Sequence, residues 1–401
     1  MNHPLTPIAD ASARGPIPPP LQGLPLLRLG MRPFYLGAAA FAAISVPWWV
    51  AAALGVIAVP TALPPMLWHA HEMLFGFASA VIVGFLLSAG KAWTGLTVAR
   101  GPALGGLAVL WLAARLAAVT TPYAVYAVLD VLLLPLVAAL LGAVLLRAGN
   151  RRNLPLVALL VLLALANAAF HLACLDLIEM PAIRALHAAL ALIVLIASVM
   201  GGRVIPAFTM GATPGLKLRS TPRLEIVVLA TSAVALALWV LAPPGPWGVI
   251  AFGAAAAAHA MRLSGWQSQV TRGRPILWIL HVSYAWVPIG FALLALAQAG
   301  LIAPSAGIHA LAVGAIGGLI IGMMTRTARG HTGRPLRVTA IEVTAYVLVL
   351  AAAVLRALVP LAAPQPAVLI AAATAWSTAF LLYLWVFAPW LTSTRLDGKD
   401  G

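Results

Sequence analysis

Residues 64–77 read Pro-Pro-Met-Leu-Trp-His-Ala-His-Glu-Met-Leu-Phe-Gly-Phe and open an apolar run that ends near Ser88. A helix needs roughly 20 apolar residues to cross a bilayer, and this run is long enough. Two imidazoles and a carboxylate at the mouth of such a span are costly unless they face a protein interior or a cavity. The stretch therefore sets two expectations at once: a helical membrane fold, and a buried polar site near one membrane face.

Runs of this kind fill the chain. Of 401 residues, 63% are hydrophobic and only 8% are charged, against about 25% charged in soluble domains. Twelve runs qualify as spans, at about 34–57, 66–88, 102–120, 124–146, 154–175, 182–202, 224–242, 246–263, 276–299, 305–325, 338–359 and 367–390. The division between the third and fourth rests on Thr120 to Tyr123 alone. The reading is an all-α polytopic membrane protein. One 12-helix domain covers 28–390, between a disordered cytoplasmic tail at 1–27 and a second tail at 391–401.

The net charge of +15 could suggest nucleic acid, but the basic residues sit in short clusters between apolar runs. Alternate connections and the two tails hold 21 of the 24 Lys and Arg residues. The positive-inside rule assigns that side to the cytoplasm, with both termini inside. Membrane lipid is the implied partner and nucleic acid is not. The exceptions, Arg115, Arg184 and Arg356, fall near the outer ends of their spans. They either snorkel to the interface or neutralise a bound anion. A single cysteine, Cys174, leaves no internal disulfide or CxxC motif.

His71, His187 and His309 lie near the outer ends of the second, sixth and tenth spans, and each is followed 24 residues later by a glycine, Gly95, Gly211 and Gly333. Arg32-Pro33 and Arg274-Pro275 open the first and ninth spans, and Arg115 and Arg356 fall at matching places in the third and eleventh. These matches suggest three four-helix units, about 28–147, 148–264 and 265–390, around a pseudo-threefold axis normal to the membrane. Such symmetry gathers the second, sixth and tenth helices at the centre. His69, His71, His171, His187 and His309 then converge from four helices at one depth.

Imidazole suits haem iron and copper. In a helix His69 and His71 differ by about 200° in direction, so they face different neighbours and serve different centres. One would face His309 across a haem. The other would face His187 and His171 across a second haem or a copper ion. Arg115, Arg184 and Arg356 would meet haem propionates, and Glu72 would orient a ligand or carry protons. Cys174, one turn from His171, is either a soft copper ligand or a small core residue. His259, His281 and His331 lie at the other end, as a second site or as hydrogen-bonding residues.

The stretches Arg32-Pro33-Phe34, Leu67 through Phe77, Thr94-Gly95, Gly201 through Pro206, His281 through Trp286 and Met323 through Pro335 together resemble the NnrS family of bacterial membrane proteins. The resemblance runs over nearly the whole chain after the tail. It implies a haem- and copper-containing protein of the cytoplasmic (inner) membrane, associated with the nitric oxide response and denitrification. The expectation is one or two haem b groups, with copper as a further candidate. Nitric oxide would bind at His-ligated centres and, in the stronger form, be turned over by a nitric oxide reductase-like oxidoreductase. Its electrons would come from quinol or a small carrier. The alternative is a haem or copper transporter or chaperone for maturing respiratory enzymes. A weaker, architectural likeness is to the large subunit of haem–copper oxidases and nitric oxide reductases. It departs at the seventh span, which has no histidine, and at the tenth, which has only His309.

Overall fold

The computed structural model describes residues 23–58, 61–218, 221–361 and 365–399, so most of the tail at 1–27 lies outside the described residues. The chain forms twelve long helices, and no strand occurs among the described residues. Inside lipid, every backbone N–H and C=O must be paired within its own segment, which selects helices. They are α1 (Met31–Ala53), α2 (Pro65–Thr94), α3 (Pro102–Thr120) and α4 (Tyr123–Arg147). Next come α5 (Leu154–Cys174), α6 (Ala182–Ala212), α7 (Pro222–Leu241) and α8 (Pro246–Ser264). The last four are α9 (Pro275–Gln298), α10 (Pro304–His331), α11 (Ala340–Ala357) and α12 (Pro366–Leu391).

Among the described residues, eleven helices are long and apolar enough to cross a membrane. The twelfth, α8, carries buried His259 and Arg262, which dilute its hydropathy. Proline sets many of the starts, because it lacks the N–H that a first helical turn leaves unpaired anyway. It stands in the first turn of α2, α3, α7, α8, α9, α10 and α12. The narrow break between the third and fourth spans is real: α3 ends at Thr120 and α4 begins at Tyr123.

Successive helices pack on one another, and α12 returns to pack along α1. Inside this ring α6 touches both α2 and α10. Neighbours recur every four helices: α4 lies on α5, α8 on α9 and α12 on α1. That pattern is compatible with three units, yet the glycine matches are unequal. Gly95 and Gly333 end their helices at φ 75° and 74°, the left-handed conformation that glycine adopts freely. Gly211 instead stays within α6.

Two features of α2 and α10 exceed the sequence reading. Both helices, and α6 with them, run past the expected ends of their apolar runs. Both also widen into a π-helical turn directly after a histidine: Glu72–Ala78 after His71, and Ala310–Gly317 after His309. Such turns concentrate at functional sites, because they re-aim the side chains around them.

Candidate metal and cofactor site

The N-terminal parts of α2, α6 and α10, with α1, α11 and α12, line a partly open cavity of about 610 Å³, within the roughly 300–1,000 Å³ typical of cofactor and ligand pockets. Its lining is mostly apolar, and its nitrogen-bearing side chains include His69, His187, His309, Arg356, Trp49 and Trp376. His69 stacks on Trp49 with ring centres 4.0 Å apart, and its Nδ1 is buried without a hydrogen-bond partner. His309 Nδ1 lies 2.7 Å from the Ser305 carbonyl oxygen. A carbonyl only accepts, so Nδ1 carries the hydrogen and the neutral ring keeps its Nε2 lone pair. The indole nitrogens of Trp49 and Trp376 are likewise buried and unpartnered. His187 stacks on Trp239 at 4.3 Å.

His71 points the other way, into a buried polar cluster shared by α2, α3, α4 and α5. Its Nδ1 lies 2.8 Å from Tyr126 Oη and 3.2 Å from Glu72 Oε1. Its Nε2 lies 2.9 Å from Asn167 Oδ1 and 3.3 Å from Asp130 Oδ2. His171 Nε2 approaches the same Asp130 oxygen at 3.1 Å, and its Nδ1 meets Tyr123 Oη at 2.9 Å. Arg115 donates to Glu72 Oε2 at 2.6 Å and pairs with Asp130 through its other nitrogen. Ligand atoms of His71, Asp130 and His171 all fall within 4.8 Å of one another.

Charge counting shows what this cluster can accept. Glu72, Asp130 and Arg115 are all buried, and with neutral imidazoles two carboxylates face one guanidinium. Unbalanced charge in a low-dielectric interior is expensive. One further positive charge balances the set, and either a proton on His71, both of whose nitrogens face acceptors, or a metal ion supplies it. Two imidazole nitrogens and a carboxylate oxygen suit a transition-metal ion.

The structure thus divides the five histidines three and two, not as one ring and not as the two pairings expected. His187 joins His69 and His309 at the cavity, while His171 alone joins His71. Arg356 lines the cavity and makes no hydrogen bond or ion pair with a described residue. Arg115 is committed to the carboxylates, and Arg184 is exposed and lines neither site. Glu72 is buried between Arg115, Tyr126 and His71. Cys174 is free and half-buried, outside the three-ligand group.

Asp130, Asn167 and Tyr126 are the members that the sequence reading missed. Asp130 carried a usable signal, being an ionisable residue inside the fourth apolar run. At the far end, His259 sits between Ser232 Oγ at 2.8 Å and Tyr284 Oη at 2.7 Å. His281 sits between Thr209 and Ser268, both at 2.9 Å. Both rings have their two nitrogens engaged by hydroxyl groups, without the carboxylate and second imidazole that stand beside His71.

A family model described as "NnrS protein" matches residues 25–395, nearly the whole chain. No curated protein matches it.

Proposed function

Because the chain belongs to the NnrS family, we propose that it is a haem- and copper-binding membrane protein of the nitric oxide response, with separate centres on the two sides of α2. The haem side is the cavity lined by His69, His309 and Arg356, and nitric oxide is its ligand. The copper side is His71, His171 and Asp130. The Lys/Arg distribution supports placement in the inner membrane with both termini in the cytoplasm.

The observation that carries this reading is the set of unpaired nitrogens in an otherwise apolar space. A buried polar group without a partner costs about 1–3 kcal/mol. His69 Nδ1, Trp49 Nε1 and Trp376 Nε1 stand so, beside a guanidinium that has no described anion. A flat apolar group with a ligand-accepting metal at its centre and carboxylates at its rim fits all of these together. When bound between these residues, haem iron would supply a centre able to hold a diatomic gas, and His69 or His309 would hold the iron.

The chain's own residues have distinct tasks around it. Ser305 fixes the tautomer of His309, so the ring offers Nε2 without rearrangement. Trp49 holds the His69 ring in one plane by stacking. Arg356 supplies positive charge for acidic substituents. The mostly apolar walls lower the local dielectric, which strengthens each polar contact within the cavity. Across α2, Arg115 keeps Glu72 and Asp130 in place, and Asn167 orients His71 toward Asp130.

Absorption spectra of the purified protein, oxidised and reduced, with and without nitric oxide, test this together with metal analysis. Stoichiometric haem whose spectrum shifts with the gas is the expected result. Absence of haem would refute the assignment of His69, His309 and Arg356. Substoichiometric, readily stripped metal would favour the carrier alternative.

A further inference from the structure

Beyond the histidine-lined cavity, α2, α6 and α10, with Tyr35 of α1 and Leu280 of α9, line a second, partly open space of about 110 Å³. Its wall continues the same helix faces: Val81 follows Phe77 on α2, Ile193 follows Leu190 on α6, and Ile316 of α10 lines both spaces. Among the described lining residues, Tyr35 carries the one polar side-chain group, a hydroxyl 3.3 Å from Thr327 Oγ1. One turn further along, the Arg326 guanidinium of α10 stacks 3.9 Å above the Phe208 ring of α6 and ties the two helices together.

The size and the chemistry of this chamber limit what it can hold. A buried water needs two to four polar partners, and this wall offers a single hydroxyl that already has a neighbour. The space exceeds the roughly 30 Å³ share of one water in the liquid, and dry apolar cavities of about 150 Å³ take up xenon or benzene. It is far smaller than the adjoining cavity, so a haem-sized group is excluded. Small uncharged gases fit a space of this size and partition readily into apolar surroundings.

We infer that, of the two adjoining apolar spaces that α2, α6 and α10 line, the inner one is a holding site for a small uncharged gas beside the histidine-lined cavity. Naming that gas as nitric oxide rests on the function proposed above; the capacity to hold a gas does not. A filled chamber keeps the gas one wall away from the cavity, raising the chance of rebinding after each dissociation.

Xenon is the probe. The purified full-length protein under xenon pressure is expected to bind the gas against Ile316, as seen by anomalous scattering or by xenon NMR. Ala197→Phe, which adds a ring to the chamber wall, should remove that site. Ile320→Ala enlarges the chamber and should raise uptake several-fold, so the test stands even if the first variant folds poorly. No xenon in the wild-type chamber, or equal uptake in wild type and Ile320→Ala, overturns the inference. Flash photolysis of the nitric oxide complex reads the link to function. Ala197→Phe should lower the fraction rebinding from within the protein several-fold with the haem spectrum unchanged, and unaltered rebinding overturns the feeding role. A wild-type protein that takes up xenon here but binds no nitric oxide would sink the proposed function and leave the chamber established.

Discussion

Gly76 shows how tightly the polar cluster is built. A Cβ there would lie 2.7 Å from Phe41 Cε1, 2.9 Å from Glu72 Oε2 and 3.0 Å from Arg115 Nη1. Gly76→Ala must therefore displace the Phe41 ring and crowd the Glu72–Arg115 pair. Thermal unfolding in detergent should show a loss of about 1–3 kcal/mol, the usual cost of overpacking. Gly106→Ala in α3 meets nothing within 4 Å and should be neutral or stabilising, by up to about 1 kcal/mol. Equal effects of the two would remove the steric argument. Arg115→Gln strands two buried carboxylates and should cost about 3–5 kcal/mol, partly restored by adding Glu72→Gln; no restoration would mean that Arg115 acts mainly through packing. At this scale the sequence revealed His69, His71 and Glu72, because ionisable residues in an apolar run announce themselves. It did not reveal which of them meet, since Asp130 and Asn167 lie about 60 and 100 residues further along the chain and only packing brings them to His71.

The helices themselves were legible to within a few residues, because lipid imposes a length and an apolar composition that are read directly from the chain. The inner helices were misjudged in a consistent way. Segments such as Lys91 to Thr94 and Arg326 to His331 continue α2 and α10, since protein neighbours at these ends tolerate polarity that lipid would not. The π-helical turns had no sequence signature. Trp111 of α3 donates from Nε1 to the Gly76 carbonyl at 2.9 Å, meeting a backbone group inside the first of them. Trp111→Phe should cost about 1–2 kcal/mol by unfolding measurements, as expected for losing a buried hydrogen bond. An unchanged midpoint would show that the wider turn needs no support from α3.

For the whole molecule, the topology proposed from the Lys/Arg distribution can be checked from outside the cell. With Cys174→Ser as background, Ala62→Cys should react with a membrane-impermeant thiol reagent in intact cells, and Ser393→Cys only after permeabilisation. The reverse pattern would invert the assigned orientation. The expectation that the second, sixth and tenth helices gather is met at the two internal chambers, which all three line. The expected level ring of histidines is not, because side-chain direction divides what helix position brings together. His69 and His71 leave α2 on different sides, one to the cavity and one to the α4–α5 cluster. Haem absorbance and metal content of His69→Ala and His71→Ala, purified side by side, test this division most directly. The expected result is that His69→Ala loses haem and keeps the non-haem metal, while His71→Ala does the opposite; loss of the same centre from both would contradict two separate sites.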